Sequence, residues 1–325
     1  MTASSPWTRR GLLGGAGAAL ALGAAGGRPA RAADRPVRLS FQRSSTLLTV
    51  LKLKGTLVER LAAKGFTPSW HQFTGVIEPM NTGAVDLHAD VADAIPIFTQ
   101  SAGARLTFYG MEAGSPRAEA IIVPDESPIR SVADLKGRTV GVSRGSGCHF
   151  ILAAALKREG LRFSDITPAY LEAPDGAAAF ARGSLDAWAI WDPFLAITQA
   201  KRPVRVLADA TGLSSYNRYF LVNDGFAAEH PEVVGVVFDA LVEAGRWVKA
   251  NPKDAVALLG PVWGDLPPEI VATVNERRSY AIQPVEKAAL SEQQTIADTF
   301  QEAGLIPRRI DATDVRIWRP AASRG

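Results

Sequence analysis

Short β-type runs alternate with helical segments along most of the chain, and this alternation limits the folds that it can adopt. Residues 37–41 alternate apolar and polar side chains, and residues 46–63 carry leucines at helical spacing. Repetition of this βα order predicts an α/β fold with an open, mostly parallel sheet and helices on both faces. Strands are predicted at 37–41, 67–73, 85–89, 106–109, 118–123, 139–143, 166–171, 187–191, 204–207 and 219–222, with helices at 46–63, 77–83, 94–102, 131–135, 148–159, 176–181 and 193–200.

The predicted elements form two α/β blocks, followed by almost continuous helix to residue 303. This order predicts two lobes: residues 33–112 with 215–325, and residues 113–214. The predicted hinges, near 110–117 and 209–217, contain Gly, Ser or Asn, which accommodate changes in backbone angle. The candidate N-caps in the helical region are Asn223, Asn251 and Ser291.

The N-terminus has the pattern of an export signal. Arg9 and Arg10 precede a mildly apolar stretch of Gly, Ala and Leu at 11–27, and Ala30-Arg31-Ala32 fits a signal-peptidase site. An arginine pair before weak hydrophobicity indicates the twin-arginine route, so residues 1–32 are predicted to be a signal peptide that directs the protein to the periplasm. An uncleaved membrane anchor is the alternative interpretation.

Charge and cysteine content exclude several classes of function. The chain has 36 basic and 33 acidic residues; residues 1–32 contain four arginines and no acid, which leaves 32 basic residues and a net charge of −1. A near-neutral mature chain gives no electrostatic basis for binding nucleic acid. Cys148 is the single cysteine, so no internal disulfide can form, and the four histidines lack metal-ligand spacing.

Four predicted strand-to-helix junctions carry the candidate binding residues, at 41–46, 90–94, 143–149 and 188–194. Ligands of open α/β sheets lie beyond the carboxyl ends of the strands, where the free N–H groups of helix starts favour an anion. The donors predicted from these junctions are Ser45, Thr46, Ser146 and the backbone of Gly147. Helix capping alone is the alternative role for the hydroxyl side chains.

Charged and aromatic side chains at the junctions indicate the kind of ligand. Arg43, Arg144 and His149 are candidate partners of an anion, and Asp192 is predicted to cap a helix at Pro193. Trp188 and Trp191 place an aromatic surface beside these groups. The combination favours a ligand with an apolar chain and a charged head.

Two other functions fit the sequence poorly. The pattern Gly145-x-Gly147 follows a predicted strand, but Phe150 stands where a dinucleotide site needs a third small residue. Cys148 and His149 are neighbours on a predicted helix and point about 100° apart, which disfavours a catalytic thiol–imidazole pair.

Several segments together resemble the periplasmic aliphatic-sulfonate-binding proteins of ABC importers, within a group that includes taurine, nitrate and thiamine-precursor receptors. The resemblance extends from residue 37 to the C-terminal helices. It rests on the sequences at 41–48, 97–100, 131–137, 145–149 and 180–188, and most specifically on Ile190-Trp191-Asp192-Pro193-Phe194. The chain departs from the family pattern at Ser44 and at Val91-Ala92.

The resemblance implies a type II periplasmic-binding-protein fold, in which two hinged lobes close on the ligand. It implies capture of an alkanesulfonate by a monomer, delivery to an ABC permease in the inner membrane, no cofactor and no catalysis. Taurine, nitrate or a thiamine precursor is the alternative ligand, and an enzyme on the same scaffold is the alternative class. The pocket positions that it implies are Gln42, Ser45, Asp93, Glu112, Ser146 and Asp192.

Overall fold

The computed structural model describes residues 35–42, 45–73, 78–79 and 82–320. The predicted signal peptide, Arg43, Ser44 and residues 77, 80 and 81 of the predicted helix at 77–83 lie outside these residues. The strands are β1 (Arg35–Phe41), β2 (Phe66–Gln72), β3 (Leu87–His88), β4 (Val91–Ala92), β5 (Leu106–Glu112), β6 (Glu119–Pro124), β7 (Thr139–Val142), β8 (Thr167–Tyr170), β9 (Ala187–Trp191), β10 (Val204–Asp209), β11 (Arg218–Asn223), β12 (Ile282–Gln283) and β13 (Arg316–Ile317). The helices are α1 (Thr46–Lys54), α2 (Thr56–Ala62), α3 (Ile95–Ser101), α4 (Gly147–Arg158), α5 (Ala173–Ala181), α6 (Phe194–Lys201), α7 (Asp224–Glu229), α8 (Pro231–Ala250), α9 (Pro252–Leu259), α10 (Pro268–Arg277) and α11 (Leu290–Glu302).

The strands form two separate mixed sheets. The first has the order β12-β5-β11-β3-β1-β2, with β13 beside β5 and β4 beside β11; the second has the order β10-β6-β9-β7-β8. In the first sheet β2, β1 and β3 are parallel, whereas β11 is antiparallel to both β3 and β5. In the second, β9, β7 and β8 are parallel, whereas β6 is antiparallel to both β9 and β10.

The α/β prediction with two blocks is confirmed, but the expectation of mostly parallel sheets is wrong. The antiparallel pairs arise because the chain leaves the first sheet through β5 and returns to it through β11. These crossing strands pair with each other in the first sheet, and β6 pairs with β10 in the second. The segment that connects β5 to β6 touches the segment that connects β10 to β11, because the Ser115 N–H donates to the Ser215 carbonyl oxygen at 3.0 Å.

Each sheet has its own apolar core. Helix α8 buries Val233, Val237 and Leu241 in the apolar core of the first sheet. These residues recur at helical spacing and therefore lie on one face of the helix. The second core contains the inner faces of β7 and α4. Helix α11 also contributes to this second core, through Ile296, Ala297 and Phe300.

Several helix boundaries differ from those predicted. The helix predicted at 46–63 is interrupted at Gly55, whose φ of +68° ends α1 and suits glycine. Asn223 caps α7 through its side chain, as predicted, whereas the Asn251 side chain makes no capping hydrogen bond. Ser291 is not the N-cap of α11, because the helix already begins at Leu290.

None of the helices in the described part of the chain combines the length and the apolar character needed to cross a membrane.

Candidate functional site

A cavity of about 360 Å³ lies where residues from both sheets meet. The first sheet and its connections contribute Gln42 after β1, Ala92 in β4 and Phe98 in α3. The second contributes the loop before α4 and Trp191 at the end of β9. The cavity is lined by Gln42, Glu78, Ala92, Ile95, Phe98, Glu119, Ser143, Arg144, Gly145, Ser146, Gly147, Cys148, Glu172, Trp191, Tyr216 and Arg218.

The start of α4 supplies the polar centre of this cavity. Ser146 caps the helix, because its hydroxyl oxygen accepts from the His149 N–H at 3.2 Å, which confirms the predicted capping role. The same hydroxyl donates to the Ser143 carbonyl oxygen at 2.8 Å. Within the described residues, no acceptor is bound to the backbone N–H of Gly147 or Cys148. Two free N–H groups at the start of a 12-residue helix suit an anion.

Gly147 allows other groups to approach this helix start closely. A Cβ atom at this position would lie 2.8 Å from Glu119 Oε2 and 3.1 Å from both Asp93 Oδ1 and a ring carbon of Tyr216. Any larger residue would therefore displace buried side chains or fill the space in front of the free N–H groups.

Arg144 provides an uncompensated positive charge at the cavity. Its side chain is exposed, its guanidinium lies 5.5 Å from the centre of the Tyr170 ring, and it forms no ion pair with any described residue. Arg218 also lines the cavity, but its Nε is 2.5 Å from Asp90 Oδ2. Arg144 is consequently better placed to attract an incoming anion.

Arg218 belongs to a buried ion network beneath the cavity. Arg278 joins the network by contacting Asp90 at 3.0 Å and Glu112 at 2.5 Å. Burial alone would raise the pKa of Asp90, but the positive charges of Arg218 and Arg278 outweigh it and lower that pKa. The network holds Arg218 in place at the cavity wall.

Two further buried acids are not compensated in this way. Glu119 has no exposed surface, and its Oε2 accepts from the Cys148 thiol at 3.4 Å. Burial, and then the proximity of Asp93, raises the pKa of Glu119 well above its ordinary value. Burial also raises the pKa of Asp93 to about 7, although the Ser214 hydroxyl donates to it at 2.9 Å.

Four of the ten predicted site residues line the cavity: Gln42, Ser146, Gly147 and Trp191. The others are held in contacts outside it. Ser45 accepts from the Gln42 N–H at 3.1 Å, and the Thr46 hydroxyl is hydrogen-bonded to the Tyr280 hydroxyl at 3.1 Å.

Three acidic residues, Asp93, Glu112 and Asp192, are also among the predicted positions that do not line the cavity. Asp93 lies beside Gly147, and Glu112 pairs with Arg278. Asp192 pairs with Arg277 at 3.0 Å, and it also accepts from the Ala196 N–H in the first turn of α6.

His149 is buried and uncharged at neutral pH. Its Nδ1 accepts from the Gly145 N–H at 3.1 Å, and its ring packs against Phe163, Tyr170 and Phe300. Burial, together with the charge of Arg144, lowers the pKa of His149 to about 4. His149 is consequently not placed to offer a positive charge to an anion, because its neutral ring is enclosed by aromatic side chains.

Sequence reasoning missed several residues of the cavity wall, among them Phe98, Glu119, Glu172, Tyr216 and Arg218. The sequence contained one indication of two of these residues. Glu119 and Arg218 each begin a strand that otherwise consists largely of apolar residues. A charged residue at the buried end of such a strand is costly unless it has a partner or a function.

The two sheets, their paired crossings and the cavity between them define a solute-binding protein of the periplasmic type. Comparison with known proteins supports this class. Residues 76–255 match the family described as NMT1/THI5 like. The chain is 35% identical over 299 residues to an aliphatic sulfonates-binding protein of Escherichia coli, covering 91% of this chain and 92% of that protein.

Solved structures agree in fold. The crystal structure of the periplasmic aliphatic sulphonate binding protein from Escherichia coli superposes with a TM-score of 0.83, covering 90% of this chain and 94% of that one. The alkanesulfonate-binding protein from Xanthomonas axonopodis pv. citri, bound to MOPS, is 33% identical with a TM-score of 0.78, over 86% of this chain and 96% of that one. The chain belongs to the NMT1/THI5-like family, in its group of aliphatic-sulfonate-binding proteins.

Proposed function

We propose that this protein captures alkanesulfonates, or closely related small organic anions, for import by an ABC transporter. The observation that carries the proposal is the pair of free N–H groups at Gly147 and Cys148, beside the unpaired charge of Arg144. These groups suit the sulfonate oxygens. The apolar side chains of Ile95, Phe98 and Trp191 in the same cavity suit the carbon chain.

The mode of binding follows from the two-sheet architecture. The lobes are proposed to comprise residues 33–112 with 215–325, and residues 113–214, hinged at the crossings near 110–117 and 209–217. The β4–α3 region already lies against the start of α4, since Asp93 Oδ1 is 3.1 Å from the position that a Cβ atom of Gly147 would occupy. We propose that the protein acts as a monomer, and that its partner is the permease of the importer in the inner membrane.

Ligand binding is expected to raise the melting temperature of the mature protein. A ligand bound only by the native state adds about 2.7 kcal/mol of stability at a hundredfold excess over its dissociation constant. Differential scanning fluorimetry against ethanesulfonate, butanesulfonate, taurine, nitrate and a pyrimidine, in buffers free of sulfonates, measures this. Butanesulfonate and butyrate form a matched pair that separates the head group from the chain. No shift with any sulfonate would contradict the proposed ligand class.

Export through the twin-arginine route is the second part of the proposal, and it rests on the arginine pair before the mildly apolar stretch. The double substitution Arg9→Lys and Arg10→Lys is expected to leave unprocessed precursor in the cytoplasm, because that route reads the pair itself. Arg28→Lys, in the same leader, is the matched control and should be processed normally. Fractionation with immunoblotting gives the result; normal export of the double variant would contradict the route.

A further inference from the structure

Two buried carboxyl groups converge on Gly147, where the free N–H groups of α4 meet the cavity. Glu119 Oε2 and Asp93 Oδ1 lie 2.8 and 3.1 Å from the position that a Cβ atom of Gly147 would occupy. Glu119 is 0% exposed and Asp93 is 1% exposed. Among the described residues, Glu119 Oε1 and Asp93 Oδ1 have no hydrogen-bond partner. Both acids therefore lie beside the proposed anion site, and Glu119 also lines the cavity.

A charged carboxylate at this point would oppose an anion bound at the free N–H groups of Gly147 and Cys148. For two like charges about 6 Å apart at an effective dielectric constant of about 20, the repulsion corresponds to roughly a hundredfold in affinity. An uncharged carboxyl group removes this repulsion. The state of Glu119 therefore decides how strongly an anion is held.

The surroundings of Glu119 favour its uncharged form. The Cys148 thiol is a neutral donor, and the charge of Arg218 is already compensated by Asp90. Burial, and then the proximity of Asp93, raises the pKa of Glu119 well above its ordinary value. The ionisable groups around Glu119 are Cys148 in α4, Asp93 after β4, Tyr216 and Arg218 at the return crossing, and Glu292 in α11.

We propose that anion binding by this protein is coupled to protonation of Glu119, so that the cavity holds its ligand only while this carboxyl group carries a proton. The inference rests on the proposed function. It assigns Glu119 as a positioning residue. When Glu119 is protonated, no negative charge from this side chain acts on the start of α4. Affinity for the anion decreases as the pH rises, because ionisation of Glu119 must be reversed before the anion can bind.

Isothermal titration calorimetry with ethanesulfonate tests this coupling, because the sulfonate itself does not titrate in the range used. The wild-type dissociation constant is expected to rise by at least about tenfold between about pH 6 and about pH 10. Glu119→Gln keeps the size of the side chain and an acceptor for the Cys148 thiol, but it cannot ionise. This variant is expected to bind within about threefold of wild type at low pH and to lose the pH dependence above the range in which Asp93 titrates. Sulfonate buffers are excluded because they would compete.

Asp93→Asn removes the other converging acid, whose pKa is raised to about 7, so it should remove the part of the pH dependence near that pH and leave the part at higher pH. If it abolishes the whole dependence, the assignment to Glu119 is wrong. Wild-type affinity that is constant across the range also overturns the coupling, as does loss of binding by a folded Glu119→Gln at every pH. Absence of sulfonate binding at any pH overturns the proposed function as well.

A second measurement is independent of whether Glu119→Gln folds. Titrations of the wild-type protein at the pH where its affinity changes most steeply, in two buffers with different ionisation enthalpies, report the protons exchanged on binding. Net proton uptake with ethanesulfonate is expected. A titration without uptake overturns the coupling.

Discussion

Replacement of Arg278 by methionine is expected to lower the free energy of unfolding by about 3–5 kcal/mol, the usual loss when one partner of a buried ion pair is removed. The Arg278 guanidinium donates to Glu112 at 2.8 and 2.5 Å and to Asp90 at 3.0 Å. Methionine retains much of the apolar stem but leaves Glu112 without a counter-charge, in a position that is 0% exposed. Urea unfolding of the ligand-free protein measures the loss.

Arg60→Met is the matched control, because the Arg60–Glu243 pair is similarly short, at 2.5 Å, but exposed on both sides. This substitution is expected to change stability by only about 0.2–1 kcal/mol. Adding Glu112→Gln to Arg278→Met should recover part of the loss, since it removes the uncompensated charge. Equal losses for Arg278→Met and Arg60→Met would contradict the structural role of the network.

The same network predicts the direction of the acid response. Although burial opposes it, the charges of Arg218 and Arg278 lower the pKa of Asp90 in the folded state. A group with a lowered folded pKa contributes stability above its unfolded value, about 3.9, and that contribution is lost as the pH falls through the folded value. Removal of Arg278 reduces this lowering, so the stability of the variant should depend less on Asp90 at acid pH.

The sequence predicted the order of elements well, because that order depends on local patterns. The strand predicted at 187–191 coincides with β9, and the helix predicted at 148–159 differs from α4 by one residue at each end. The direction of the strands could not be predicted in the same way. It depends on where the chain crosses between the sheets, and β5 and β11 pair across more than a hundred residues of sequence.

The candidate site was predicted only in part, for a related reason. Helix starts such as Ser146 and Gly147 carry a local signal, and they lie in the cavity. Asp192 carries the same kind of signal, and Glu112 was expected only from the family resemblance, but distant arginines, Arg277 and Arg278, occupy both acids. Which acid is neutralised and which faces the cavity depends on contacts between segments far apart in the chain, and a single sequence does not reveal these.

The anion site itself is tested by enlarging Gly147. Gly147→Val is expected to weaken alkanesulfonate binding by at least about a hundredfold, because two hydrogen bonds to a charged group contribute about 1.5–3 kcal/mol each. The added methyl groups would occupy the space between the free N–H groups and the cavity, and they would displace Glu119 Oε2. Gly147→Ala should have an intermediate effect, since it adds only the Cβ atom. Isothermal titration calorimetry gives both affinities.

The binding loss must be separated from a loss of stability, because crowding in a packed region costs about 1–3 kcal/mol by itself. Ala153→Val is the matched control, since it adds a β-branched side chain to the same helix at a half-buried position outside the cavity wall. This control is expected to bind as wild type does, whatever its melting temperature. If Gly147→Val folds and binds alkanesulfonates with wild-type affinity, the start of α4 is not where the head group binds. The free N–H groups of Gly147 and Cys148 would then have no part in recognising it.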